Sequence, residues 1–282
     1  MAAELVSLGA ALAWARPQIA RIDARLLLCH VTGRVPSYLI AYPETALASD
    51  DAVRFAALVA RRVRGEPVAY LVGSREFYGR AFRVTPDVLI PRPETELVIE
   101  IAQAAFAVPP QKVLDLGTGS GALAVTLAKL WPDASVLGVD CSPAALAIAR
   151  DNAQRLGARA VFLQSDWFSA LDAAERFDLV VANPPYVAAT DPHLAQGDVR
   201  FEPSSALAAG ADGLDDIRRI AAGVAACLAP GGCVLVEHGY DQAAAVRALL
   251  AKAGLARIRS WQDLAGIERV SGGWLDAPAR EA

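Results

Sequence analysis

The chain has 282 residues, 54% of them hydrophobic and 21% charged, with a net charge of −4 at pH 7. That is ample material for packed cores in one large domain or two ordinary ones, and it excludes a disordered chain, a collagen-like repeat or a coiled-coil rod. The longest charge-free run, Ile220 to Val236, is 17 residues and is broken by Pro230-Gly231-Gly232, which is too short and interrupted for a membrane span.

No basic residue precedes Arg16 and Glu4 is acidic, a start unlike a secretory signal, so a cytoplasmic protein is expected. Cys29, Cys141, Cys227 and Cys233 form no C-x-x-C pair and have no histidine at ligand spacing; free thiols and no metal site are expected. Charge is uneven. Residues 1–85 hold 11 arginines against 7 acidic residues, whereas 86–282 hold 16 basic and 24 acidic ones. Two parts that meet different surfaces would give this imbalance, and so would a solvated helix face carrying Arg54, Arg61, Arg62 and Arg64.

The first 75 residues read as helices. Leu5, Leu8 and Leu12 share one face, and Ile22, Leu26 and Cys29 continue the helical period in a second segment stopped by Gly33. A third run opens at Ser49-Asp50-Asp51, a candidate N-cap cluster, and closes at Gly65. The pattern predicts a small helical bundle. From Glu76 to Pro91 it changes: Phe77, Tyr78, Phe82, Val84, Val88, Leu89 and Ile90 are β-prone, and Gly79-Arg80 and Thr85-Pro86-Asp87 supply turns. A linking hairpin is predicted over 76–92. Pro91 and Pro93 then stiffen the chain before a helix near Glu94-Thr95-Glu96, whose carboxylates suit a helix start.

From Lys112 strands and helices alternate. Strands are predicted at 112–116, 135–140, 160–163, 177–182, 233–237, 256–261 and 268–272. Helices are predicted at 122–130, after Ser142-Pro143, at 214–228 and at 242–253. Such alternation predicts an α/β domain, with a largely parallel sheet covered by helices on both faces.

Two loops carry chemistry. Asp115-Leu-Gly-Thr-Gly-Ser-Gly121 follows a strand and opens a helix, and Asp140 ends the next strand, where a carboxylate can accept ribose hydroxyls. This context points to a nucleoside cofactor. On the loop alone a dinucleotide, through G-x-G-x-x-A from Gly117 to Ala122, and S-adenosyl-L-methionine both stay open. The second loop, Asn183-Pro184-Pro185-Tyr186, follows strand 177–182, and in open α/β sheets ligands bind beyond the carboxyl ends of strands. Two prolines fix the backbone and remove two donors, Asn183 adds a side-chain carbonyl, and Tyr186 can pack on a plane. Such a site offers two acceptors to a planar –NH2 group.

Together the two loops resemble Rossmann-like class I methyltransferases that alkylate amide or amine nitrogens. The segments EFYG (76–79), LIPRPETE (89–96), QSDWF (164–168), GDVRFEP (197–203) and VEHG (236–239) narrow this to a resemblance to the HemK/PrmC family over nearly the whole chain. Arg80 stands where that family's pattern suggests an apolar residue, and the tail 275–282 fits no part of it. The resemblance implies an S-adenosyl-L-methionine-dependent protein-(glutamine-N5) methyltransferase that yields S-adenosyl-L-homocysteine and acts on the Gly-Gly-Gln glutamine of peptide chain release factors. Its implied organisation is a helical substrate-binding domain (1–75), a β-hairpin linker (76–92) and a methyltransferase domain (93–282). Implied for the cofactor are Gly117, Thr118, Gly119, Ser120, Gly121, Asp140, Trp167 and Asn183, with Trp167 against the adenine. Implied for the substrate and the chemistry are Asn183, Pro184, Pro185 and Tyr186. His30, His193 and His238 have no triad or ligand pattern around them and are left out, as are Glu94 and Glu96. With a pI of 5.5 and no long basic groove, a nucleic-acid substrate is not expected.

Overall fold

The computed structural model describes residues 5–277, so the last five residues of the unmatched tail lie outside it. The chain divides into two compact units, one running to Ser74 and including Gly197–Phe201, the other comprising Arg75–Gln196 and the chain from Glu202.

The first unit holds α1 (Leu8–Ala15), α2 (Arg21–Thr32), α3 (Pro36–Ala41), α4 (Ser49–Val63) and α5 (Val68–Val72). Ser7 caps α1 by accepting from the Ala10 amide, and Gly33, in the left-handed region, stops α2. Two expectations need correcting. In α2 the buried residues are Ala24, Leu27, Leu28 and Val31, while Ile22 is 61% and Leu26 43% exposed. The helix carries two apolar stripes, and the one with i, i+3, i+4, i+7 spacing joins Phe55 and Val59 of α4 in the core because it is wider. Ser49 does not cap α4 either. The cap position is Ala48, without a side-chain bond, and Asp50 and Asp51 lie in the first turn, where they face the positive end of the helix dipole. Arg62 of α4 spans two carboxylates, with Nε on Asp23 at 2.7 Å and Nη1 on Asp198 at 2.6 Å. With Arg200 donating to the Arg64 carbonyl at 2.6 Å, this fork holds the 197–201 segment within the unit.

A hairpin of β1 (Ser74–Phe77) and β2 (Arg80–Arg83) begins at the last residue of the first unit and lies otherwise in the second. Tyr78 and Gly79 both have positive φ, the signature of the tight turn whose twist suits a hairpin. Arg80, the residue outside the pattern, folds back to donate to the Tyr78 carbonyl. The β-prone stretch 88–90 is not a strand. Val88 N closes a turn onto Thr85 O and Ile90 N donates to the Glu202 carboxylate, so Val88 and Ile90 are buried as irregular chain instead. Buried Asn152 pins the hairpin's end, accepting from Arg83 N at 2.7 Å and donating to Arg83 O and Ser120 O.

The remaining elements are α6 (Glu96–Ala105), β3 (Lys112–Leu116), α7 (Ala122–Leu130), β4 (Ser135–Asp140), α8 (Pro143–Leu156), β5 (Ala160–Gln164), β6 (Phe177–Ala182), α9 (Asp215–Cys227), β7 (Leu228–Glu237), α10 (Ala243–Lys252), β8 (Ala256–Gln262) and β9 (Glu268–Trp274). The strands lie in the order β5-β4-β3-β6-β7-β9-β8, parallel throughout except that β9 runs antiparallel between β7 and β8. Alternate residues feed opposite cores. Val113, Leu179 and Val181 pack with α6–α8, whereas Leu114, Leu116, Val180 and Ala182 pack with α9 and α10. This is a Rossmann-like α/β sandwich, with the topological switch between β3 and β6. Among the described residues no helix is long and apolar enough to cross a membrane.

Candidate active site

Strand register assembles the site. Leu116 pairs with both Val139 and Ala182, so Gly117, Asp140 and Asn183 leave the sheet side by side; Asp140 pairs with Gln164, which brings in Ser165 to Trp167. Over these strand ends lies a cleft of about 370 Å³ lined by Gly117–Ser120, Asp140, Trp167, Asn183 and Pro185 among others.

The glycine loop is shaped by its neighbours. Gly117 has φ +70°, and a Cβ there would sit 3.3 Å from the Trp167 ring, so only glycine combines this backbone with the indole's close approach. Gly121 has φ +81°, and its Cβ would meet that of Ala149 at 3.2 Å, so it sets how closely α7 and α8 pack. Thr118 Oγ1 donates to Asp115 Oδ2 at 2.6 Å, and Ala124 N adds a second bond. The other oxygen of Asp115, Oδ1, is buried without a partner among the described residues, and burial pushes this carboxyl up to about 7. Asp140 accepts from Gly119 N through Oδ2 and from Ser142 N through Oδ1, each at 2.9 Å. Those two bonds aim the carboxylate and leave each oxygen capacity for one more donor. Trp167, itself at φ +52°, donates from Nε1 to Asp216 Oδ1 at 3.3 Å, which fixes its ring along the cleft.

The tetrapeptide divides. Asn183 and Pro185 line the cleft; Pro184 is buried behind them, and Tyr186 points its hydroxyl to Glu237 Oε1 at 3.3 Å. Asn183 donates from Nδ2 to Thr95 Oγ1 at 3.0 Å, which leaves Oδ1 buried with no partner among the described residues. An acceptor fixed this way can accept a hydrogen bond from an –NH2 group presented in the cleft. The Tyr186 hydroxyl is pushed up by burial first and by Glu237 second, so it stays a neutral donor. Glu237 is fully buried, and burial pushes its carboxyl up to about 7.

From the sequence, Asp115 is read as part of the cofactor loop without a role of its own, and Thr95 and Glu237 have none. Thr95 sat inside a stretch read as a helix start, and Glu237 within a motif that carried no assigned role. Only the pairing of Ala182 with Val236 brings Glu237 beside Asn183. Glu96 accepts from Tyr78 N and so serves the hairpin, while Glu94 is exposed. None of the histidines lines the cleft. His238 is buried between Gly239 O and Ser271 Oγ, with burial holding it below its usual pKa, and His193 is exposed beside Asp191. Among the described residues no group of three or more His, Cys, Asp or Glu side chains is placed to hold a metal ion.

Known proteins match both halves of this architecture. Residues 6–73 fit the PrmC N-terminal domain and residues 94–201 the Methyltransferase small domain. The chain is 53% identical to the Release factor glutamine methyltransferase of Bordetella pertussis, over 93% of this chain and 97% of that one. Its identity to the protein of the same name from Burkholderia pseudomallei is 54%, over 90% of this chain and 92% of that one. A likeness of fold alone links it to the T. Thermophilus 16S rRNA N2 G1207 methyltransferase, solved in complex with AdoMet and guanosine. There the TM-score is 0.54 and the identity 24%, over 72% of this chain and 49% of the other.

Proposed function

The chain belongs to the release factor glutamine methyltransferase family, and on that premise we propose that it moves a methyl group from S-adenosyl-L-methionine to the side-chain amide nitrogen (N5) of the glutamine in the Gly-Gly-Gln motif of peptide chain release factors. The observation that carries this reading is Asn183 Oδ1, a buried acceptor at the wall of the cleft with no partner among the described residues. Thr95 holds its amide the right way round for the purpose.

An amide nitrogen is a poor nucleophile because its lone pair is delocalised into the carbonyl. Holding reactants in attack geometry can lower a barrier by about 7–11 kcal/mol, so positioning is the main task of these residues. Asn183 Oδ1 accepts one amide proton and the Pro184 carbonyl the other. Both bonds raise electron density on the nitrogen and stabilise the positive charge it develops. Pro185 borders the amide plane at the cleft wall, and Tyr186 supports it from behind. When bound, S-adenosyl-L-methionine would supply an electrophilic sulfonium methyl and leave as S-adenosyl-L-homocysteine, and the methylated nitrogen then gives up one N–H proton to water to restore a neutral amide.

The residues present fit that cofactor. The unpartnered Asp115 Oδ1 suits the cofactor's cationic amino-acid end. Gly117, Thr118, Gly119, Ser120 and Gly121 cradle that end and the ribose, Asp140 accepts the ribose hydroxyls, and Asn183 borders the methyl. Trp167 offers its face to the adenine, a contact worth about 1–3 kcal/mol by analogy with base stacking. Residues 1–75 serve as the substrate-binding domain, 76–92, of which the β1–β2 hairpin takes up only the first part, as the link, and 93–282 as the methyltransferase domain, all working in the cytoplasm on a protein and not on nucleic acid.

The test is transfer of labelled methyl from S-adenosyl-L-methionine to a purified release factor, beside its Gly-Gly-Ala variant and duplex DNA. Label on the factor that disappears with the glutamine is the expected result. Label on DNA, or on neither, overturns the substrate.

A further inference from the structure

Glu237 ends β7 next to the tetrapeptide, because Ala182 and Val236 pair in register one residue earlier. It does not line the cleft. Yet its carboxylate touches the machinery from behind in two directions. On one side the Tyr186 hydroxyl donates to Oε1 at 3.3 Å. On the other is Thr95, itself buried, whose Oγ1 is taken up as acceptor by Asn183 Nδ2 and whose own proton is left to donate. Hydrogen bonding from both Thr95 and Tyr186 favours the ionised Glu237. One carboxylate thus lies beside two hydroxyls, that of Tyr186, which bonds it, and that of Thr95, which bonds Asn183.

A carboxylate so deep is a poor choice for packing alone. Among the described residues Oε2 has no hydrogen-bond partner and no ion pair, Arg269 on β9 attracts the carboxylate, and Glu94 from the turn before α6 opposes it. A neutral side chain of the same volume would fill this space at lower cost. What a neutral group cannot do is oblige two hydroxyls to point towards it.

We propose, on the basis of the methyltransferase reading above, that Glu237 is a positioning residue that directs the Thr95 proton away from Asn183 and so keeps Asn183 Oδ1, not Nδ2, facing the cleft. The logic is one of donor direction. With an acceptor at 237, Thr95 spends its proton there and presents a lone pair to Asn183, whose Nδ2 must then turn to Thr95. With a proton on Glu237 the Thr95 hydroxyl can be the acceptor from that side and the donor to Asn183. The amide then flips, and an N–H donor meets the substrate –NH2 where an acceptor is needed. Burial pushes Glu237 up to about 7, so its ionisation falls within the range where the enzyme can be assayed.

The experiment is steady-state methylation of a release factor across pH by the wild type, Glu237→Gln, Thr95→Val and Thr95→Ser, with calorimetric S-adenosyl-L-homocysteine binding alongside. In the wild type kcat should climb with pH through a limb near neutrality. Glu237→Gln should lower kcat by about tenfold or more, the scale of one hydrogen bond to a charged group, with the limb abolished and cofactor affinity unchanged. Thr95→Val should do the same, and Thr95→Ser, which restores the hydroxyl, should recover the activity. Wild-type kcat and an unaltered limb in Glu237→Gln would overturn the proposal. Should that variant not fold, equal activity of Thr95→Val and Thr95→Ser would overturn it. An inactive wild type would instead strike the substrate reading itself.

Discussion

Asn183 and Thr95, 88 positions apart in the chain, meet through a hydrogen bond of 3.0 Å from Nδ2 to Oγ1. This contact turns an amide that could face either way into one with its carbonyl in the cleft. Replacing Asn183 with Ala removes the acceptor and should lower kcat by about 10²–10³, the loss seen when a single preorganised polar group is deleted from an active site. Cofactor affinity should change far less. Near-normal turnover of this variant in a single-turnover assay would sink the assignment.

Asp140 is aimed by Gly119 N and Ser142 N, so its position does not depend on a ligand. Asp140→Ala should weaken S-adenosyl-L-methionine binding by at least about tenfold, the scale of one hydrogen bond to a charged group. Isothermal titration of the folded variant is the check, and an unchanged Kd refutes the ribose role.

Gly117→Ala combines two penalties. A left-handed backbone costs a non-glycine residue about 1–2 kcal/mol, and the new methyl presses on Trp167 at 3.3 Å. The expected outcome is a lower Tm together with weaker cofactor binding. In a Trp167→Ala background the steric part vanishes and only the backbone part remains, so the two substitutions should be non-additive in a thermal-shift cycle.

The buried carboxyls give stability a pH dependence of definite sign. Asp115 and Glu237 both rise to about 7 on folding, from burial in each case. Each therefore binds its proton more tightly in the folded chain, and the stability so gained is full below the ordinary carboxylate range and is lost as pH rises through about 7. Asp212, which Arg218 holds down at about 2, acts in the opposite sense and only in strong acid. Tm should fall between about pH 5 and pH 8, and Asp115→Asn should flatten that slope. A Tm that climbs across this window contradicts the assignment.

If the helical unit grips the substrate protein, a short Gly-Gly-Gln peptide should be methylated far less efficiently than the whole release factor. The comparison is of kcat/KM for the two, and equal values remove that role from residues 1–75.

Much of this could be read from the chain. The order of strands and helices after Lys112, the glycine loop, Asp140 and the tetrapeptide all follow from local pattern. In a parallel sheet the buried strands are continuous apolar runs, and the loops at their carboxyl ends carry the ligand chemistry. Local pattern failed where two readings were equally periodic. In α2, two stripes offered a core face, and contact with Phe55 and Val59 of α4 selected Ala24, Leu27, Leu28 and Val31. The stretch 88–90 has strand propensity, but its backbone is engaged otherwise: Val88 N donates to Thr85 O in a turn and Ile90 N to the buried Glu202 carboxylate.

The sequence by itself therefore determined the chemistry on offer: a strand–glycine loop–helix, an acid at the next strand end, and an asparagine made rigid by two prolines. Those depend on residues adjacent along the chain, whose geometry short-range sterics and hydrogen bonding dictate. The tertiary structure alone decided that Thr95 faces Asn183, that Glu237 stands behind Tyr186 and that Trp167 closes on Gly117. Such contacts depend on which strands become neighbours and in what register. That is a cooperative outcome of burying two cores on opposite faces of one sheet, and no segment carries it alone.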